Sequence, residues 1–296
     1  MNLLIYGVAL LGTSLSSILA DDLWTTRAPN QATPFETEIV SRPNTEESVM
    51  TVSPDGSEIF WGVSERWFPM SRVSAIWTAS RQANGWGPPH RVSFSRGFSD
   101  GDPFISYDGK AIYFVSMRPV RGPRKDFDIY VTERTADGWG PARNLGSEIN
   151  SAEDELYPSV APDGTIYFAS ERSGQWQIYS AAKRADGTYD KVEALPAPVN
   201  IAGVWSFNPF ILLDGKTLVF TSLNRPGGYG IGDLWVSRMT ASGTFETVQN
   251  LGPLVNSKED EFHPSVSPDG KALFFVRRPQ TGNADVHWIS SRAVGL

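Results

Sequence analysis

Five copies of one short pattern punctuate this chain, and their spacing restricts it to a repeat architecture. The copies are Ser53–Gly56, Ser106–Gly109, Ala161–Gly164, Leu212–Gly215 and Ser267–Gly270, each closing on Asp-Gly. The shared aspartates, Asp55, Asp108, Asp163, Asp214 and Asp269, are separated by 53, 55, 51 and 55 residues. A period of this size belongs to propellers, solenoids and arrays, whose units bury their apolar faces only against a neighbour.

The second copy shows the unit. Asp102–Ser106 is short and partly apolar, Tyr107–Lys110 is a turn, and Ala111–Val115 is rich in β-formers. Asp128–Thr132 reads as a third strand and Trp139–Leu145 as a fourth, with a turn at Ala136–Gly138 between them. Asp-Gly suits tight turns because glycine accepts a positive φ. The other second strands are Glu58–Gly62, Ile166–Ala169, Thr217–Thr221 and Ala272–Val276, and the other third strands are Ala75–Ala79, Ile178–Ala181, Asp233–Ser237 and Asp285–Ser290. Four strands per repeat with little helical periodicity predict an all-β, five-bladed propeller of four-stranded blades.

Composition agrees with this. Aromatic residues make up 12% of the 296 and charged residues 20%, with 27 Gly and 21 Pro, a turn-rich globular profile. The net charge of −7 disfavours nucleic acid as a partner. The absence of Cys excludes disulfides, a thiol nucleophile, Cys-bound zinc and a lipidated N-terminal cysteine. Residues 1–20 read as a signal peptide, with an apolar run at Asn2–Leu11 and a small residue, Ala20, ahead of Asp21. No later stretch is long enough for a membrane span. A monomer in the periplasm or outside the cell is expected.

The two ends of the chain complement each other. The fifth copy stops at Leu296 after its third strand. Phe35–Thr37, followed by Ile39, Asn44 and Glu46, parallels Phe245–Thr247, followed by Leu251, Asn256 and Glu259. Residues 35–41 are therefore predicted to complete the last blade, which removes an open sheet edge. The expected organisation is a leader at 1–20, a tail at 21–34 and a propeller at 35–296. Its blade cores fall at about 46–93, 99–146, 153–196, 205–252 and 259–292.

Two copies share a longer motif. Glu153, Asp154 and Glu155 precede Pro158–Val160 and Pro162–Gly164, as Glu259, Asp260 and Glu261 precede Pro264–Val266 and Pro268–Gly270. Asn224–Gly230 and Asp233–Ser237 follow the fourth copy. Over about residues 35–296 the chain resembles the TolB-like, WD-repeat-like β-propeller repeats of exported bacterial envelope proteins. The resemblance implies the fold and an envelope setting. It leaves function open, because such propellers serve as binding platforms and as parts of enzymes. TolB itself has six blades, so its partners are not carried over to five.

Counting back from each shared aspartate locates candidate site residues on the first strands. Eight positions back are Glu47, Asp100, Glu155, Ser206 and Glu261, and six back are Val49, Asp102, Tyr157, Asn208 and His263. Seven back are Ser48, Gly101, Leu156, Phe207 and Phe262. Strict alternation places the even offsets on the channel and the odd, more apolar ones between blades. Four carboxylates would then ring the channel mouth, with Asp102, Tyr157, Asn208 and His263 a layer below.

Three readings of the ring follow. In the structural one the acids cap loops or pair with the arginines after each second strand, Arg66, Arg118, Arg172, Arg225 and Arg277 or Arg278, which also stand near Asp128, Asp233 and Asp285. Recurrence in every blade favours it. In the second, Glu47, Asp100, Glu155 and Glu261 converge on a cation such as Ca²⁺. In the third, Glu47, Asp100 and Glu155 supply the acid and base of glycoside hydrolysis, with Trp67, Phe68, Trp205 and Tyr229 stacking on sugar rings. The chain has three histidines, His90, His263 and His287, and no Gly-x-Ser-x-Gly elbow, so neither a histidine metal cluster nor a serine triad is supported.

The loops after the second strands share the upper face. One carries Arg66, Trp67, Phe68 and Arg72, and another Arg118, Arg121, Arg124 and Lys125. Such a rim suits a protein, peptide or glycan ligand. The ligand-binding set expected is Asp102, Tyr157, Asn208, Glu261, His263, Arg66, Trp67, Arg118, Trp205, Arg225 and Tyr229. The function expected is a non-catalytic binding module that requires no cofactor. The alternatives are a glycan hydrolase and a structural part of an envelope assembly.

Overall fold

The computed structural model describes residues 28–67, 69–119 and 126–296. The leader at 1–20, the first part of the tail, Phe68, Arg121, Arg124 and Lys125 lie outside the described residues.

Five antiparallel sheets follow one another along the chain, each laid down in sequence order except the last, whose outer strand comes from the N-terminal segment. Their first strands are Glu46–Val52, Asp100–Ile105, Glu155–Val160, Trp205–Ile211 and Asp260–Val266. Each is followed by an Asp-Gly turn whose glycine has positive φ, between 65° at Gly215 and 89° at Gly164. The turn aspartate helps to hold it: Asp108 Oδ1 accepts from the Ser106 hydroxyl at 2.6 Å and from the Lys110 N–H at 3.0 Å. The fold is the five-bladed propeller the repeat predicts. In blades 1 and 2 the outer strand is split, at Gly85–Trp86 and His90–Arg91 and at Gly138–Trp139 and Arg143–Asn144. Pro88, Pro89 and Pro141 fall in the gaps, where a residue without an N–H cannot continue the ladder.

The N-terminal segment closes blade 5, slightly earlier in the chain than predicted. Thr33–Pro34 pairs with Asp285–Ser290, and the Phe35 N–H donates to the Val286 carbonyl at 2.8 Å. Residues 36–41 form a turn instead of the predicted strand. Glu36 takes φ 45°, which ends the extended run, and its carbonyl accepts the N–H groups of Ile39 and Val40.

A second recurring device pins the linker after a blade to that blade's third strand. Asn150, Asn200 and Asn256 each accept a third-strand N–H and return their amide to the same residue's carbonyl, at Ile129, Ile178 and Leu234. In blade 5 Ser41 does this for Val286. The core draws on the apolar side chains of the first, second and third strands, with the fully buried Phe60, Phe114, Phe168, Phe220 and Phe275 on the second.

Candidate functional site

The first strands do not alternate regularly, and this decides what faces the channel. In blade 3 Leu156 pairs with Ala169 and Ser159 with Tyr167, three steps on one strand against two on the other. The same slip recurs in the other four blades. One residue bulges out of each ladder. In four blades the residue six back has left-handed backbone: Asp102 at φ 49°, Tyr157 at 58°, Asn208 at 48° and His263 at 53°. Val49 is absent from this set, as its β-branch would make the conformation costly.

The bulge rotates the expected faces. Ser48, Gly101, Leu156, Phe207 and Phe262, expected between blades, border a cavity of about 410 Å³ at the channel mouth. Asp102, Tyr157 and His263 border it too. The carboxylates eight back are fully buried, and of the four only Glu47 borders the cavity. The ring of mouth carboxylates predicted from strict alternation is therefore absent.

Arginines meet three of those acids inside the blades. Arg118 Nη2 lies 2.9 Å from Asp100 Oδ1, Arg172 Nη2 2.9 Å from Glu155 Oε1, and Arg277 Nε 2.9 Å from Glu261 Oε1. Each guanidinium also lies over a core ring, of Phe114, Phe168 or Phe275. Glu155 and Glu261 further accept the N–H and hydroxyl of Ser151 and Ser257. Among the described residues no group of three or more His, Cys, Asp or Glu stands close enough to hold a metal ion. In blade 4 Ser206 replaces the acid, and Arg225 donates to the carbonyls of Pro198 and Val199. Arg118, Arg225 and Glu261 are thus bound into the blade framework, and none of them borders the cavity. Asp128 instead accepts from Asn144, and Asp233 accepts the N–H groups of Tyr229 and Gly230.

Blade 1 breaks the pattern. Arg66 is exposed and makes no ion pair among the described residues. Glu47 Oε1 accepts from the Thr45 hydroxyl at 2.6 Å, while Oε2 is buried without a partner among the described residues. Burial drives this carboxyl up to about 8; the Thr45 bond and, more weakly, Arg42 oppose the rise, and Asp285 adds to it.

The loop after the second strand of blade 1 lies over the mouth. Trp67 packs against Phe262 and His263 of blade 5, with centroid distances of 5.1 and 5.4 Å. Arg72 reaches blade 3, where both terminal nitrogens bind the Asp154 carboxylate. Trp176 and the half-exposed Trp205 complete an aromatic wall. Tyr229 is exposed and lies outside the cavity.

The floor is a relay of the left-handed residues. Asp102 accepts the Tyr157 N–H and the Ser48 hydroxyl, yet burial still drives its carboxyl up to about 7. Tyr157 hydrogen-bonds the Asn208 amide. Asn208 Oδ1 accepts the His263 N–H at 3.2 Å, and its Nδ2 lies 3.1 Å from His263 Nδ1. Burial lowers the His263 imidazole to about 3, so it is neutral. Reading these positions from the sequence needed one further signal: Pro103, Pro158, Pro209 and Pro264 follow the four left-handed residues, and proline inside an inner strand marks a bulge.

No family model and no curated protein matches the chain. Solved structures do, at low identity. A candidate TolB from Agrobacterium tumefaciens is 19% identical with a TM-score of 0.54, over 83% of this chain and 78% of that one. A thermostable family-43 glycoside hydrolase is 15% identical at 0.55, over 87% and 92%. A protein of unknown function from Dyadobacter fermentans is 15% identical at 0.53, over 90% and 84%. At these identities the likeness is one of fold, shared by proteins of different function.

Proposed function

We propose that this chain is an exported, TolB-like propeller acting as a non-catalytic binding module, with a glycan or peptide segment seated in the mouth cavity. One observation carries the reading. Asp100 and Glu155, two of the three acids expected of a mouth hydrolase, are sealed inside their blades on Arg118 and Arg172, the third, Glu47, is fully buried at the cavity edge, and the wall is built of Trp67, Trp176, Trp205, Phe207 and Phe262. A volume of about 410 Å³ suits a compact ligand or one residue of a longer one. Export rests on the apolar leader read at residues 1–20. Among the described residues no helix is long and apolar enough to cross a membrane. The test is thermal unfolding with envelope glycans and peptides, each mixture also analysed for products. A rise in melting temperature without product supports the reading.

Asp102 favours a second reading, a glycan hydrolase. A carboxyl near pH 7 in an aromatic-walled cavity suits a general acid. Hydrolysis also needs a second carboxylate across the scissile bond, and Asp154 is engaged by Arg72 and by the Phe127 N–H. Product release abolished by Asp102→Asn would establish this reading over the first.

A further inference from the structure

The cavity carries an imbalance of charge that the repeat does not require. Its ionisable lining includes Glu47, Asp102, Asp154 and Glu171. The cation among the lining residues is Arg72, and it is spent on Asp154. His263 contributes none: with Oδ1 of Asn208 fixed by a backbone N–H, Nδ2 donates to Nδ1, and the ring proton sits on Nε2. Arg278 lies over the Trp67 ring at 5.2 Å but does not border the cavity.

At the position eight residues before the turn aspartate, the acids of blades 2, 3 and 5, Asp100, Glu155 and Glu261, are each met by an arginine within 2.9 Å. Asp102, only 7% exposed, has none among the described residues; it holds one backbone N–H and one hydroxyl. Glu47, fully buried, keeps one oxygen without a partner among the described residues. Two acids without an ion pair among the described residues therefore stand on neighbouring blades at one cavity. The rest of the wall is aromatic, and aromatic rings with carboxylates are the surroundings that attract an organic cation, through ring quadrupoles as well as charge.

We infer that the cavity selects a ligand bearing an ammonium group, which seats beside Asp102 among Trp67, Tyr157 and Trp205. The inference rests on the binding-module reading and names the class of ligand. The ammonium supplies the positive charge that arginine supplies in the other blades. A hydrated metal ion is a poorer match, since apolar rings offer it no oxygen ligands. An anionic ligand would meet uncompensated carboxyls.

Titrations followed by tryptophan fluorescence test this, because Trp67, Trp176 and Trp205 border the site. The probes are choline and n-butylammonium, each against the uncharged alcohol of the same shape. The better of the two cations is expected to bind about tenfold or more tightly than its alcohol, the scale of one charge-assisted contact. Asp102→Asn should remove most of that preference. Trp205→Ala, at an exposed rim position with little folding risk, should weaken the cation several-fold and the alcohol less. Equal binding of cation and alcohol, or an unchanged preference in Asp102→Asn, overturns the ligand class and leaves the binding module standing. If neither these probes nor the glycan and peptide panel binds, both readings fall.

Discussion

Asn208 grips His263 with both ends of its amide: the oxygen accepts the histidine's own backbone N–H at 3.2 Å, and the nitrogen lies 3.1 Å from its Nδ1. A donor aimed at Nδ1 is compatible only with the neutral ring. Burial acts in the same direction, lowering the imidazole to about 3. An NMR titration of the ring protons should therefore find His263 unprotonated down to about pH 4. Asn208→Asp turns the donor into an acceptor and should raise the His263 midpoint. A midpoint near the ordinary 6.5 in the parent protein would mean that the amide is flipped or the ring is wet.

Glu47, which forms no ion pair among the described residues, predicts a particular response of stability to pH. Glu47 rises from 4.5 to about 8 on folding, so between these values the unfolded chain releases a proton that the folded chain keeps. The neutral form's stabilisation is fully present below pH 4.5 and lost as pH rises through 8, at up to about 1.4 kcal/mol per unit. Glutamine mimics the protonated acid. Glu47→Gln should match the parent's melting temperature near pH 4.5 and exceed it increasingly toward pH 8. A difference that does not change with pH would show that Glu47 ionises normally in the fold.

Arg118 and Arg66 hold corresponding places in blades 2 and 1, yet should respond differently to loss. Arg118→Ala strands the fully buried Asp100 without its cation and should cost about 3–5 kcal/mol in denaturant unfolding. Arg66 is exposed and makes no ion pair among the described residues, so Arg66→Ala should stay within about 0.5 kcal/mol of the parent. Equal losses at the two sites would remove the case that blade 1 has abandoned the pairing.

The repeat, the strand types, the Asp-Gly turns and the closure of the ring by the N-terminus were legible in the sequence, since each follows from period and turn chemistry. The cavity was not. Counting offsets assumes a side-chain period of two, and one bulge per strand defeats it from Asp102, Tyr157, Asn208 and His263 onward. Phe207 and Phe262 thereby moved from the blade interface to the cavity, and Asp100 and Glu155 from the channel to the interior. The prolines after the bulges were visible, but their meaning depends on recognising those strands as inner ones. Trp67 was identified as a rim aromatic; that it packs on Phe262 and His263 depends on a loop path that local sequence does not encode.

The ring closure itself is open to a test. Phe35 is 2% exposed and meets Phe274 and Trp288 edge-on, with centroids 5.1 and 5.4 Å away. Beside it Thr33 and Pro34 pair with the blade, and Pro29, Phe35 and Ser41 add hydrogen bonds to Ser290 and Val286. The aromatic anchor adds buried apolar contact to these bonds. Phe35→Ala should cost about 3–5 kcal/mol. It should also raise amide exchange along Asp285–Ser290 more than along Gly232–Met239 of blade 4, whose outer strand, Phe245–Asn250, does not depend on the N-terminus. Uniform loss of protection in both blades would show that the ring unfolds as one unit, with no local opening at its seam.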